Sequence, residues 1–423
     1  MRRPVRWRTS RGFRRLATVA LLALAAALVS GHAALMLLAA PLLATAAAAP
    51  RGRRPKAVDV TIVASPERCF EGEEVELILT TAPGDVMDEI SSRLELPDGL
   101  SLVSGAVVQS EIRAGRAEAR WTISPAIWGR HQLGTVHVTC RSRGGVWTAT
   151  LALPAGTIDV YPRPPVTRAR LVPPDLLRRI GEHTGRAAGE GIELTAVRPY
   201  LPGDRLRDVN WAATSRRRQL HVNQRAAQRA ADLVVMIDAF SEVGPPGDST
   251  IDTSVHGAAA LVSAYLRIGD RAGVVTLGGM LRWLGPAPGE RQFYRIAETV
   301  LDLRYDSEVM PDLGRIPRTA LPPGALVVLF SPLLDPRTLT AISDLQARGF
   351  SLVVVDVLRQ DPPETQPPKL ASLALRLWRL DREVLRSGLA NAGVPVISWG
   401  AGEELDAVLA PVRRVPVAAG RRR

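Results

Sequence analysis

Between residues 57 and about 162 the apolar positions fall in short, partly alternating runs rich in Val, Thr, Leu and Ile, at 57–63, 74–80, 93–96, 117–123, 134–140 and 146–153. A period of two puts every second side chain on one face, so these runs predict the strands of an all-β sandwich. Turn chemistry stands where runs stop, at Pro83-Gly84-Asp85, Pro97-Asp98-Gly99 and Gly144-Gly145. From residue 232 the pattern changes. Continuously apolar runs at 232–237, 273–277, 325–330, 351–357 and 394–398 alternate with helical spacing at 251–268, 291–303, 337–348, 371–392 and 403–409, and 280–284 reads as a hairpin arm. Strands apolar on both sides are covered on both faces, which predicts a mostly parallel, doubly wound α/β domain. Ligands of such sheets sit outside the carboxyl ends of the strands, here residues 238–243 and 331–335.

The N-terminal pattern is different again. No charged residue occurs from Leu16 to Ala49, and Leu, Ala, Val and Met dominate these 34 positions. One crossing of a bilayer takes about 20 residues, so the run is long for one upright span and short for two. Ser30, Gly31 and His32 divide it into halves of 14 and 17 residues, which predicts a transmembrane helical hairpin. The rival is an export signal, with Arg14-Arg15 as a twin-arginine pair and small residues at 44–48 for a peptidase. Against cleavage, basic residues follow that point directly, and the positive-inside rule places both flanks in the cytoplasm.

The expected organisation is therefore a basic N-terminus and hairpin at 1–56, the sandwich at 57–162, a Pro-rich connector and a distinctive motif region at 163–231, the α/β domain at 232–412 and a basic tail at 413–423. Pro162, Pro164, Pro165, Pro173 and Pro174 break the connector, and a short helix is expected at 176–182.

Charge sharpens this division. The net charge of +12 comes from the ends: residues 1–56 carry eleven basic side chains and no acid, and residues 411–423 carry five Arg and no acid. The body keeps 38 basic side chains against all 42 acids, near −4, which removes the main support for nucleic-acid binding. The terminal Arg run can touch anionic lipid. Cys69 and Cys140 have no His or Asp companion at metal or catalytic spacing and read as buried thiols in a reducing compartment, with a single bridge as the alternative.

Residues 189–217, GEGIELTAVRPYLPGDRLRDVNWAATSRR, mix acids and arginines closely around the Pro202-Gly203 turn and Trp211. Such a cluster is either an ion-pair corner that fixes a loop or a surface that a partner reads through Arg and Trp. Gly189, Glu190, Gly191, Glu193, Val197, Arg198, Tyr200, Pro202, Gly203, Asp204, Arg207, Asn210, Trp211 and Arg216, followed by a strand ending in Asp238, resemble the signature of the bacterial family known as domain of unknown function number fifty-eight. That resemblance implies paired transmembrane helices, a β domain, a von Willebrand factor type A-like α/β domain, and association with MoxR-type AAA+ ATPases in a chaperone-like role. Type A domains hold a divalent cation through an Asp-x-Ser-x-Ser loop. Here the loop is Asp238-Ala239-Phe240-Ser241-Glu242, so Phe240 and Glu242 replace both Ser, and the family's later Asp is replaced by Ser331 with Asp335 displaced. If Mg²⁺ binds, Asp238 is its first expected ligand and Glu242 the next. The six His show no zinc spacing, and no phosphate-binding Gly-rich loop or Gly-x-Ser-x-Gly elbow occurs.

These observations give the expected function: a non-enzymatic adaptor anchored in the bacterial cell membrane with its soluble domains in the cytoplasm, binding a protein partner, a MoxR-type ATPase and its client, through Arg198, Tyr200, Pro202, Gly203, Asp204, Arg207, Asn210, Trp211 and Arg216. The alternatives are a divalent-metal-dependent hydrolase using Asp238 and Glu242, and an exported adhesion protein.

Overall fold

The structure, a computed structural model, describes residues 2–31, 57–82, 87–110, 116–142, 145–165, 167, 194–202, 204, 206–225, 232–278, 281–303, 317, 319–361 and 368–410, with 36, 40, 41, 43, 44 and 47. The chain divides into two compact units, Met1–Pro162 and Arg163–Arg423.

The first unit is sandwich-like. One five-stranded sheet runs β1 (Arg2–Pro4), β3 (Ala57–Ser65), β5 (Val75–Ala82), β9 (Ala117–Pro125) and β7 (Leu100–Ser104), and a second runs β2 (Arg8–Thr9), β12 (Trp147–Pro154), β11 (Thr135–Ser142), β6 (Met87–Glu95) and β8 (Val107–Ser110). A three-stranded sheet joins β10 (Gly129–Gln132), β13 (Thr157–Tyr161) and β4 (Arg68–Phe70). Alternation explains the packing: β5 buries Val75, Leu77 and Leu79, β9 buries Ala117, Ala119, Trp121 and Ile123, and β11 buries Val136, Val138 and Cys140 in one core. Cys69 and Cys140 are free, and burial pushes both thiols up to about 11.

Two of these strands lie where the sequence reading expected only a basic leader. β1 pairs antiparallel with β3, β2 pairs antiparallel with β12, and Val5 and Trp7 pack against the sandwich core. The period-two alternation Val5, Arg6, Trp7, Arg8 is the signal, hidden among arginines. Ser10 ends this segment: its amide donates to the Val146 carbonyl at 2.8 Å, and its hydroxyl accepts from the Phe13 amide, capping α1 (Arg11–Ser30). Gly31, at φ 65°, closes α1 in the left-handed conformation that glycine adopts without strain. By length and composition α1 suits a membrane crossing, and its Leu21, Leu22, Leu28 and Val29 are exposed. The expected second half of the hairpin, 33–49, lies mostly outside the described residues.

In the second unit, the expected helix at 176–182 and Gly189 to Glu193 of the motif also lie outside them. β14 (Leu194–Pro199) and β15 (His221–Arg225) form an antiparallel pair, with the helix α2 (Trp211–Arg217) between them in sequence. A six-stranded sheet follows, ordered β18 (Arg282–Ala287), β17 (Arg271–Leu277), β16 (Asp232–Asp238), β19 (Leu326–Ser331), β20 (Ser351–Asp356) and β21 (Val396–Ser398), parallel except for β18. The helices α3 (Thr250–Arg267), α4 (Glu290–Val300), α5 (Pro336–Ala347), α6 (Pro368–Asn391) and α7 (Leu405–Leu409) accompany it. Side chains alternate across the sheet. Val234, Met236, Val327, Leu329 and Val354 meet Ala341, Ile342 and Leu345 of α5 on one face, whereas Phe330 points to the other and lies against Gly257 of α3. This alternation places the last side chains of β16, β19 and β20 together on the α5 face.

Candidate functional site

Those last residues form a polar row. Register pairing aligns Asp238 with Leu277, Ser331 with Asp356, and Asp356 with Ser398, and Ile237 with Phe330 immediately before them. Asp238, Ser331 and Asp356 are buried, so each polar group needs a protein partner. Asp238 has three. Its Oδ2 accepts from the Ser331 hydroxyl at 2.5 Å and from the Thr338 hydroxyl at 2.7 Å, and its Oδ1 accepts from the Phe240 amide at 2.9 Å. Burial pushes the Asp238 carboxyl above its usual range, opposed by these three hydrogen bonds.

Asp356 is held by arginines instead. Its Oδ2 accepts from Arg382 at 2.6 Å and from the Nε and terminal nitrogen of Arg386 at 2.9 and 2.6 Å, and its Oδ1 accepts from the Leu358 amide. A second nitrogen of Arg382 donates to the Pro332 carbonyl. The pair of guanidiniums ties α6 to the carboxyl ends of β19 and β20. Arg337 donates to Asp335 through two nitrogens, holding that carboxyl below its usual range, and its guanidinium lies 4.4 Å from the centre of the Phe240 ring.

This geometry decides what the strand ends can do. Glu242 is exposed on its loop, whereas Asp238, the other expected metal ligand, is fully buried. Phe240 supplies an apolar ring, stacked under a cation, where the cation-binding pattern has a hydroxyl. Among the described residues no group of three or more His, Cys, Asp or Glu side chains is placed to hold an ion. Mg²⁺ is held by one or two carboxylates together with several waters, and the carboxylate offered here, Asp238, is buried with its oxygens already accepting from Ser331, Thr338 and the Phe240 amide. Asp238 also lacks the accessibility that a base or nucleophile needs. The row reads as a clasp between strand ends and helices.

The motif region has the opposite character. Arg198, near the end of β14, makes a two-nitrogen contact with Asp204, both at 2.7 Å, and the same carboxylate accepts from the Leu201 amide at 2.8 Å. The fork closes the turn that contains Pro202, and it holds the Asp204 carboxyl down to about 2. The Tyr200 amide donates to the Leu220 carbonyl across the β14–β15 pair. Asn210 caps α2, accepting from the Ala213 amide at 2.9 Å while its own NH₂ donates to Asn223 on β15 at 2.7 Å. Val209 and Val222 bury between these elements. Arg198, Asp204 and Asn210 are thus engaged in fixing the shape of the motif, and its large apolar side chains Trp211, Leu201 and Leu206 point outward, 66%, 58% and 68% exposed. Arg216 is exposed in the last turn of α2, where a cation is favoured. Gly203 and the Arg207 side chain fall outside the described residues.

Sequence reasoning missed Thr338, Asp356, Arg382 and Arg386. One signal was available: β20 reads SLVVVD, an apolar strand ending in Asp like the LVVMID of β16.

Comparison with known proteins gives a family and no activity. Residues 196–381 match the family described as protein of unknown function DUF58. Uncharacterized proteins of Mycobacterium bovis and Mycobacterium tuberculosis are 29% identical over 210 residues, covering 46% of this chain and 63% of theirs, so the match spans less than two thirds of the relatives' length. Among solved structures, the cupredoxin domain of AmoB from Nitrosocaldus yellowstonii has a TM-score of 0.17 at 10% identity, over 25% of this chain and 88% of that one. A non-cellulosomal cohesin from Archaeoglobus fulgidus has 0.16 at 13%, over 25% and 86%.

Proposed function

Residues 196–381 are a DUF58-family domain, and from that premise we propose that the protein is a membrane-anchored, non-enzymatic adaptor whose motif region, displaying Trp211, Leu201 and Leu206, binds a protein partner. The observation that carries this reading is the division of labour within the motif. Arg198, Asp204 and Asn210 are turned inward to their own backbone and neighbours, and a Trp two-thirds exposed stands at the first position of α2. Trp and Arg on a preshaped surface are the side chains that dominate protein interfaces. The partner implied by the family resemblance is a MoxR-type AAA+ ATPase.

Two finer readings belong to this proposal. The sheet order, counted from β16 as 3-2-1-4-5-6, supports a doubly wound, von Willebrand factor type A-like domain. The pairing of β1 and β2 with the sandwich supports a hairpin anchor. Strands on both sides of the apolar run share one sandwich, so Ser10 and Ala57 stand on the same side of any membrane that α1 enters. The chain must then cross an even number of times between them. No later uncharged run in the sequence reaches the roughly 20 residues of a crossing. With eleven basic side chains flanking the run, the soluble domains face the cytoplasm.

The test is binding of the purified full-length protein, in detergent, to the MoxR-type ATPase of the same organism in the presence of ATP. Trp211→Ala is expected to weaken binding at least tenfold while leaving thermal unfolding unchanged, because the side chain is exposed. Equal affinity of a folded Trp211→Ala variant, or no binding by the wild type, sinks the proposal.

A further inference from the structure

The helix α6 is apolar on two sides. Its inward side places Ala371, Arg382, Leu385 and Leu389 against the sheet and its core. At 100° per residue, a second stripe lies roughly 140° away: Leu370, Leu373, Leu377, Leu380 and Val384, each 53 to 71% exposed. A helix hydrophobic on opposed faces needs cover on both. The exposed stripe has spacing 3, 4, 3, 4, the alternation of the a and d positions of a coiled-coil heptad.

We propose that this stripe is a self-association surface, and that it pairs with the same stripe of a second copy of this chain. The flanking charges select that occupant. With Leu370, Leu377 and Val384 at a, Arg376 takes position g, Asp381 position e and Glu383 position g. If the two helices run antiparallel, g faces g, and the layer Leu377–Leu380 sets Arg376 opposite the other copy's Glu383, twice by symmetry. If they run parallel, g faces the following e, and Arg376 meets the other copy's Asp381, again twice. Both orientations are therefore self-complementary, as a two-fold interface requires. A lipid surface fits less well. The stripe is the narrow two-in-seven seam of a coiled coil, and its margins mix Arg376 with Asp381 and Glu383 rather than offering the run of cations that anionic headgroups attract. Two heptads are too few to hold an isolated coiled coil, because each helix must first be ordered. Here that cost is already met within the monomer, since Arg382 and Arg386 anchor α6 to Asp356 and its other face lies on the core.

The experiment is sedimentation equilibrium of the full-length protein in density-matched detergent, at micromolar concentrations. The wild type is expected to be a dimer, and Leu377→Glu, which changes an exposed position, a monomer with unaltered thermal unfolding. Arg376→Glu is expected to weaken the dimer about tenfold. Restoration by adding Glu383→Arg identifies the antiparallel pair, and restoration by adding Asp381→Arg the parallel one. A monomeric wild type, a dimer indifferent to Leu377→Glu, or an Arg376→Glu dimer rescued by neither second change overturns the proposal. Binding to the ATPase partner is a separate measurement, because Trp211 lies on another element.

Discussion

Asp204 and Asp238 are displaced in opposite directions by their surroundings. Asp204 is near the surface with the Arg198 fork and the Leu201 amide on its oxygens, and its carboxyl is held at about 2. Asp238 receives three hydrogen bonds as well, but none from a cation, and burial outweighs them and raises its pKa. Arg198→Ala is expected to return Asp204 toward the ordinary carboxylate value of about 3.9, read by NMR titration of ¹³C-labelled aspartate in the full chain. The linkage follows in sign: a folded pKa below the unfolded one stabilises above about pH 3.9, and the contribution disappears as pH falls toward 2. The variant should lose that acid-side dependence, and a midpoint still near 2 would mean that the Leu201 amide alone suffices. At this scale the sequence was half legible. The density of charge in 189–217 announced ion pairing but not which residues were inward, and the Asp ending β16 was visible while the two arginines that neutralise Asp356, 26 and 30 residues later, were not. Spacing within a helix says which side chains share a face, but not which strand end that face will meet.

Elements were more legible where burial is two-sided. The apolar runs of β16, β19 and β20 need cover on both faces, and the structure supplies it from α3 on one and α5 on the other. The close contact is at Gly257, where a Cβ would stand 2.4 Å from a ring carbon of Phe330 and 2.8 Å from one of Trp399. Its neighbours are ring atoms of fully or nearly fully buried side chains, so relief requires moving packed aromatics rather than a flexible chain end. Gly257→Ala would ordinarily favour a helix, by about 1 kcal/mol. Here overpacking should exceed that gain, and a net loss of about 1–2 kcal/mol is expected in the denaturant unfolding of the α/β unit. A variant as stable as wild type would show that α3 shifts without cost. Short strands were the illegible ones. β10 has no large apolar residue, β4 and β13 bury Cys69, Ile158, Val160 and Tyr161 but are too short to display a period, and β1 and β2 hide their alternation in a run of arginines.

For the whole molecule, the first ten residues carry the most consequence. If the apolar run were a cleaved export signal, processing at residues 44–48 would remove β1 and β2 together with Val5 and Trp7 from the sandwich core. Edge strands of two and three residues contribute little pairing by themselves, but Trp7 and Val5 each cover core that water would otherwise reach, at about 25 cal/mol per Å² of apolar surface. A retained N-terminus makes the sandwich a clamp that holds both ends of the membrane segment on one side. The expected outcome is that the protein purified from membranes retains residues 2–10, read by N-terminal peptide mapping. A tag placed before Arg2 and a protease site introduced between β8 and β9, at residues 111–115, should then be attacked from the same face of the membrane, in inside-out vesicles and not in intact cells. A chain starting after residue 44, or a tag and protease site reached from opposite faces, would break the hairpin reading. An uncleaved chain with both reached only from outside would keep the hairpin and reverse its orientation, against the pull of eleven basic flanking residues.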